Sequence, residues 1–182
     1  MPKNVAVLVG SLRSGSINRK LAHALEGLGG DKLTFENVEI GDLPLYNEDL
    51  WAEVPAPVTR MKRQIEAADG VLIVSPEYNR GYPGILANTF DWGSRPSGQS
   101  SFTRKPVGII GATGGATGTA AGQQHLRLAA VNLGMIVMHA PEMYITWNSE
   151  RFGPDGEIKS DDTRKLLQGF VDAFAAFVDK HG

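Results

Sequence analysis

Residues 5–18 read Val-Ala-Val-Leu-Val-Gly-Ser-Leu-Arg-Ser-Gly-Ser-Ile-Asn, and this stretch decides the fold. The apolar run Val5 to Val9 matches a strand covered on both faces, which has no solvent side to demand alternating polar residues. The polar, glycine-containing loop from Gly10 leads into Ile17, Leu21, Ala24, Leu25 and Leu28 at helical spacing, until Gly29-Gly30 stops the repeat. A buried strand passing through a short loop into a helix is the opening of an alternating α/β chain.

The same alternation continues outward. Leu33 to Ile40 predicts a second strand ended by Gly41-Asp42-Leu43-Pro44, and Leu45 to Pro55 an extended loop. Pro57 suits a helix start, with Val58, Met61, Ile65 and Ala68 on one face. Val71 to Val74 and Val107 to Ile110 predict strands three and four, with a helix from Ile85 to Trp92 between them. Gln123 to Leu133 follows as a helix, Met135 to Met138 as a fifth strand, and Pro141 to Arg151 as an irregular crossing. Asp161 to Lys180 closes the chain as an amphipathic helix carrying Leu166, Leu167, Phe170, Val171, Phe174, Phe177 and Val178 on one stripe.

Strands separated by helix-sized intervals predict a three-layer α/β fold. It has a five-stranded parallel sheet in the order 2-1-3-4-5, right-handed crossovers and helices on both faces. Residues 1–182 are expected to form one domain. In such a sheet ligands bind beyond the carboxyl ends of the strands where the order reverses, here between strands one and three.

Composition narrows the chemistry. The formal net charge of -2 gives no basic field for nucleic acid and no polybasic stretch for an anionic membrane. No cysteine is present, so disulfides, thiolate metal sites and thiol redox chemistry are excluded, and redox activity requires a borrowed cofactor. The four histidines lack the spacing of a helical zinc site, and no metal is expected. The N-terminal segment has neither a membrane span nor a secretory pattern, so a cytoplasmic location is expected.

The loop after the first strand meets a helix N-terminus, where unpaired N–H groups and the helix dipole favour an anion. Ser11, Ser14, Ser16 and Asn18 add short polar side chains and Arg13 a fixed charge, an inventory that fits a phosphate monoester. The loop lacks the Gly-Lys-Ser/Thr ending of a triphosphate loop and the G-x-G-x-x-G of a dinucleotide site.

Three motifs carry a resemblance: Gly-Ser-Leu-Arg-Ser-Gly-Ser-Ile-Asn at 10–18, Pro-Glu-Tyr-Asn at 76–79 followed by Pro83-Gly84, and Asn-Thr-Phe-Asp-Trp at 88–92. Together, in order over nearly the whole chain, they resemble the NADPH-dependent FMN reductases, a flavodoxin-like family, and within it the branch acting on chromate, quinones and azo dyes. The resemblance implies that Ser11, Arg13, Ser16, Ile17 and Asn18 hold the FMN phosphate. It implies that Pro76, Glu77, Tyr78 and Asn79 run along the isoalloxazine ring, largely through backbone groups, and that Thr113, Gly114 and Gly115 complete the ring site. The 112–119 segment, Ala-Thr-Gly-Gly-Ala-Thr-Gly-Thr, departs from the Ser-Pro-Gly-x-x-Gly-Gly pattern usual in relatives. Ala121 and Gln124 also stand where some chromate-reducing relatives carry an arginine and a tyrosine that meet a glutamate matching Glu142 in a tetramer contact.

The resemblance further implies an FMN-dependent oxidoreductase that takes electrons from NADPH or NADH and passes them to a small oxidised acceptor: a quinone, free flavin, azo dye, chromate or ferric chelate. The chemistry rests on the flavin, so no catalytic side chain is expected. A homodimer or homotetramer is implied as well. The alternative from another class is a flavodoxin-like FMN-binding electron carrier without its own NAD(P)H turnover.

Overall fold

The computed structural model describes residues 1–182. In chain order the elements are β1 (Lys3–Val9), α1 (Ile17–Glu26), β2 (Leu33–Asn37), α2 (Ala56–Ala67), β3 (Gly70–Val74) and α3 (Gly84–Gly93). They continue with β4 (Pro106–Thr113), α4 (Ala120–Asn132), β5 (Ile136–Val137), β6 (Met143–Thr146) and α5 (Asp161–His181). The sheet runs β2-β1-β3-β4-β5, wholly parallel, with β6 also on β4. The expected order is therefore the observed one.

The continuous apolar runs have a direct cause. Val5, Val7 and Val9 face a core closed by α1 and α5, where they meet Leu21, Leu25, Phe170 and Phe174. Ala6 and Leu8 point the other way, into a core built with Met61, Ile65, Trp92 and Leu126 from α2, α3 and α4. Alternate residues thus serve opposite cores, and burying each large side chain contributes about 1.5–3 kcal/mol.

The fifth strand differs from expectation. β5 covers only the first part of β4, pairing Pro106 with Ile136 and Val107 with Val137. β6 covers the far part, from Ile110–Met143 to Thr113–Thr146, within the segment read as an irregular crossing. One edge strand is thus split in two, and Pro141, which has no N–H for a ladder, falls in the gap. The split matters because β6 lies beside the carboxyl end of β4, where the candidate site is.

β2 also stops at Asn37 rather than Ile40. Val38, Ile40 and Leu43 are buried on the α2 side instead of extending the strand. The 45–55 loop contains one 3-10 turn, Glu48–Ala52, whose Trp51 meets Trp92 edge-on at 5.4 Å.

Candidate functional site

β1 and β3 pair along Val5–Val9 and Gly70–Val74, and their crossovers leave in opposite directions. The loops after β1, β3 and β4 therefore converge at one end of the sheet. There they enclose a cleft of about 220 Å³ lined by Ser11, Arg13, Ser16, Ile17, Asn18, Pro76, Glu77, Tyr78, Ala112 and Thr113. Nine of the sequence-predicted residues line this one cleft. The other three, Asn79, Gly114 and Gly115, are exposed and stand outside its wall.

A larger hollow of about 320 Å³ lies at the opposite end of the strands, against α5. Its charges already face one another, Lys32 with Asp172 at 2.8 Å and Lys3 with Asp179 at 3.9 Å. The smaller cleft is the better candidate because its polar groups are not so paired.

At the β1–α1 loop the polar groups are almost all donors. Ser16 is the N-cap of α1, and its Oγ accepts from the Arg19 N–H at 3.3 Å, leaving the hydroxyl hydrogen available. The N–H groups of Ile17 and Asn18, first in the helix, have no acceptor within the chain, and neither has that of Ser11. Arg13 folds back so that Nη2 donates to the Gly15 carbonyl at 2.7 Å, which holds its guanidinium over the loop. This set of N–H, O–H and guanidinium donors has the chemistry to hold a phosphate.

Asn18 plays a different part from the one its chemistry implied. Its Nδ2 donates to the Ala112 carbonyl and its Oδ1 accepts from the Ala112 N–H, both at 2.9 Å, and the residue is 1% exposed. The side chain is thus a strut between α1 and the end of β4, with its second amide N–H and its main-chain N–H left without an acceptor in the chain.

The loop after β3 is also more tightly tied than the sequence implied. Tyr78 and Gly81 exchange both main-chain hydrogen bonds, at 3.0 and 2.9 Å, closing a turn over Asn79 and Arg80. Tyr78 therefore offers a ligand its half-exposed ring rather than its main chain. The Glu77 carboxylate, with 10% side-chain exposure, accepts from the Gly122 N–H at 3.0 Å and so caps α4 from outside the helix. Neither partner was readable beforehand, because residues 77 and 122 meet only through the fold.

The third wall rests on β4 and β6. Thr113 Oγ1 accepts from the Gly115 N–H at 3.3 Å, and the Thr113 carbonyl accepts from Trp147 at 2.9 Å. Gly114 has no atom within 4 Å of where a Cβ would stand, and its φ is not positive. Its glycine is thus explained neither by packing nor by backbone angle. Donors at α1 and the exposed Tyr78 ring beside them fit FMN, the first its phosphate and the second its ring face.

Glu142 is engaged within its own chain. Tyr144 Oη donates to it at 2.5 Å, Gln124 reaches it at 3.5 Å, and Arg127 Nε stands 3.3 Å away. The Tyr144 hydroxyl holds the Glu142 carboxyl below the usual carboxylate range, with Arg127 adding to the effect. Tyr144 and Arg127 of the same chain thus already partner Glu142.

Comparison with known proteins agrees with this geometry. Residues 3–148 match the family described as NADPH-dependent FMN reductase. The chain is 49% identical over 178 residues to a 2-hydroxy-1,4-benzoquinone reductase of Burkholderia sp, covering 98% of this chain and 97% of that protein. It is 47% identical over 177 residues to a quinone reductase of Pseudomonas putida, covering 96% and 94% of the two chains. Among solved structures, FerB, a flavoenzyme NAD(P)H:(acceptor) oxidoreductase from Paracoccus denitrificans, superposes with a TM-score of 0.96 at 47% identity, covering 99% of each chain. The chain belongs to the NADPH-dependent FMN reductase family, and its fold is the flavodoxin-like one of these flavoenzymes.

Proposed function

We propose that residues 1–182 act as one FMN-binding domain that oxidises NADH or NADPH and reduces a quinone or another small acceptor. The observation that carries this reading is the acceptor-free donor set at the start of α1, placed where the strand order reverses. Ser11, Arg13, Ser16 and the N–H groups of Ile17 and Asn18 hold the phosphate. Pro76, Glu77, Tyr78 and Asn79 flank the ring, with Thr113, Gly114 and Gly115 on its third side. When bound, FMN supplies the two-electron transfer between nicotinamide and acceptor, which no side chain of this cleft performs. The residues of the chain orient the ring and leave one face open to the two substrates in turn.

Two titrations test the cofactor assignment. At least two charge-assisted hydrogen bonds, each worth roughly 1.5–3 kcal/mol, predict that FMN binds about a hundredfold more tightly than riboflavin. Equal affinities would remove the phosphate anchor. Steady-state oxidation of NADPH or NADH with a quinone is the expected activity, and bound FMN without turnover on any acceptor would indicate an electron carrier instead.

The protein is further read as a cytoplasmic homodimer or homotetramer. Support comes from the outer face of α4, where Leu128 and Val131 are 72% and 62% exposed. Light scattering is expected to give a multiple of 19.6 kDa. Leu128→Asp with Val131→Asp should shift the mass toward the monomer, and a monomeric wild type would overturn the reading.

A further inference from the structure

The turn after β3 carries one residue, Arg80, that the flavin site does not use. Asn79 and Arg80 lie at φ 52° and 66°, both left-handed, the pattern of a two-residue type I′ turn whose second position favours glycine. Here that position holds an arginine, which carries a conformational cost that glycine would not.

Little inside the chain returns that cost. Arg80 Nη1 stands 3.6 Å from Glu77 Oε1, makes no hydrogen bond, and leaves the side chain 73% exposed. Glu77 does not depend on it, since its carboxylate already accepts from the Gly122 N–H. The Asn79 amide likewise has no hydrogen-bond partner in the chain, although Asn79 forms the other half of the tip.

The tip is nonetheless held firmly and close to the cleft. The Tyr78–Gly81 pair closes it, and Glu77 ties it to α4. Gly122 lets the helix approach, because a Cβ there would stand 3.0 Å from the Gly81 carbonyl and 3.3 Å from Glu77 Cγ. Tyr78, which lines the cleft, precedes the tip directly. A strained, immobilised turn that presents an exposed guanidinium beside a substrate site is a recognition element rather than a connection.

We propose that Arg80, at the tip of this turn, receives a phosphate of the nicotinamide dinucleotide and determines affinity for that donor. The inference rests on the NAD(P)H activity proposed above. The donors at α1 are committed to the cofactor phosphate, so the dinucleotide phosphates need another cation. A guanidinium matches phosphate oxygens in geometry and charge, and the chain's net charge of -2 supplies no general attraction.

Arg80→Gly separates this role from a structural one. Relieving the left-handed arginine should raise Tm by about 2–4 °C. Losing the phosphate contact should raise KM for the donor about tenfold, with kcat little changed. Titration with NADP+ should show the same loss of affinity without turnover, and Arg80→Lys should recover part of it at low salt. An effect on NADPH alone identifies the 2′-phosphate as the group bound, whereas equal effects on NADPH and NADH identify the pyrophosphate. Unchanged KM and unchanged NADP+ affinity in Arg80→Gly, in an enzyme whose wild type turns over, would overturn this inference alone. A wild type that neither oxidises nor binds either dinucleotide would overturn both this inference and the activity.

Discussion

Gly111→Ala is expected to destabilise the protein by about 3 kcal/mol or more and to remove FMN binding with it. Gly111 sits in β4 just past the end of its pairing with β3, and directly precedes Ala112, which lines the cleft. A Cβ there would fall inside contact distance of the Ser75 carbonyl oxygen and 2.6 Å from Thr119 Oγ1. Neither neighbour can swing aside. Ser75 accepts no freedom from its strand, since its N–H donates to the Ile110 carbonyl at 3.0 Å. Thr119 is buried at φ 73°, and its hydroxyl accepts from Gln123 at 3.0 Å.

Room for one methyl group therefore has to come from parting β3 and β4 where the ligand loops begin. Urea unfolding and an FMN titration on the same variant check the result. Gly114→Ala is the control, because its Cβ would meet no protein atom within 4 Å. That variant should keep wild-type stability and weaken only the cofactor. A Gly111→Ala protein with wild-type stability and affinity would show that the β3–β4 crevice is not rigid.

Asn18→Ala should cost about 3 kcal/mol, a fall in Tm of roughly 6–12 °C. Alanine leaves both the N–H and the carbonyl of Ala112 without their partners in a site that water scarcely reaches. The same loss frees the first turn of α1 from β4, so the phosphate donors drift from the ring wall. Stability and FMN affinity are expected to fall together. A side chain that merely touched phosphate would lower affinity while leaving Tm in place, so measuring both distinguishes strut from ligand. Asn18→Asp should recover only part of the loss, because a carboxylate accepts from the Ala112 N–H but repels the Ala112 carbonyl.

These two positions also mark how far the sequence could be read. Val5–Val9 and Val71–Val74 were legible as buried strands because each requires an apolar partner on both sides, whatever that partner is. The loop at 11–18 was legible as a set of hydrogen-bond donors because they are contiguous and the helix that follows supplies the rest. Asn18 lines the cleft, but its pairing with Ala112 was not readable from residues adjacent in the chain. Ala112, which lines the cleft, carried no signal at all, since alanine has no chemistry of its own and matters there only through its main chain.

β6 was missed for a related reason. Met143 to Thr146 is short, follows a proline and has only two residues buried, so neither length nor periodicity distinguishes it from a loop. It is a strand because the carboxyl half of β4 has an open edge beside it once β5 ends at Val137.

The sequence by itself determined the succession of strands and helices, the reversal of strand order that locates the cleft, and the donors at the start of α1. Those follow from periodicity and from the chemistry of residues adjacent in the chain. Only the tertiary structure decided that Asn18 is a strut to a residue 94 positions away, that Glu77 caps a helix 45 positions away, and that Arg80 is left without a hydrogen-bond partner. A polar side chain bonds whichever group the fold brings within about 3 Å, and for these residues that group lies across the sheet rather than along the chain.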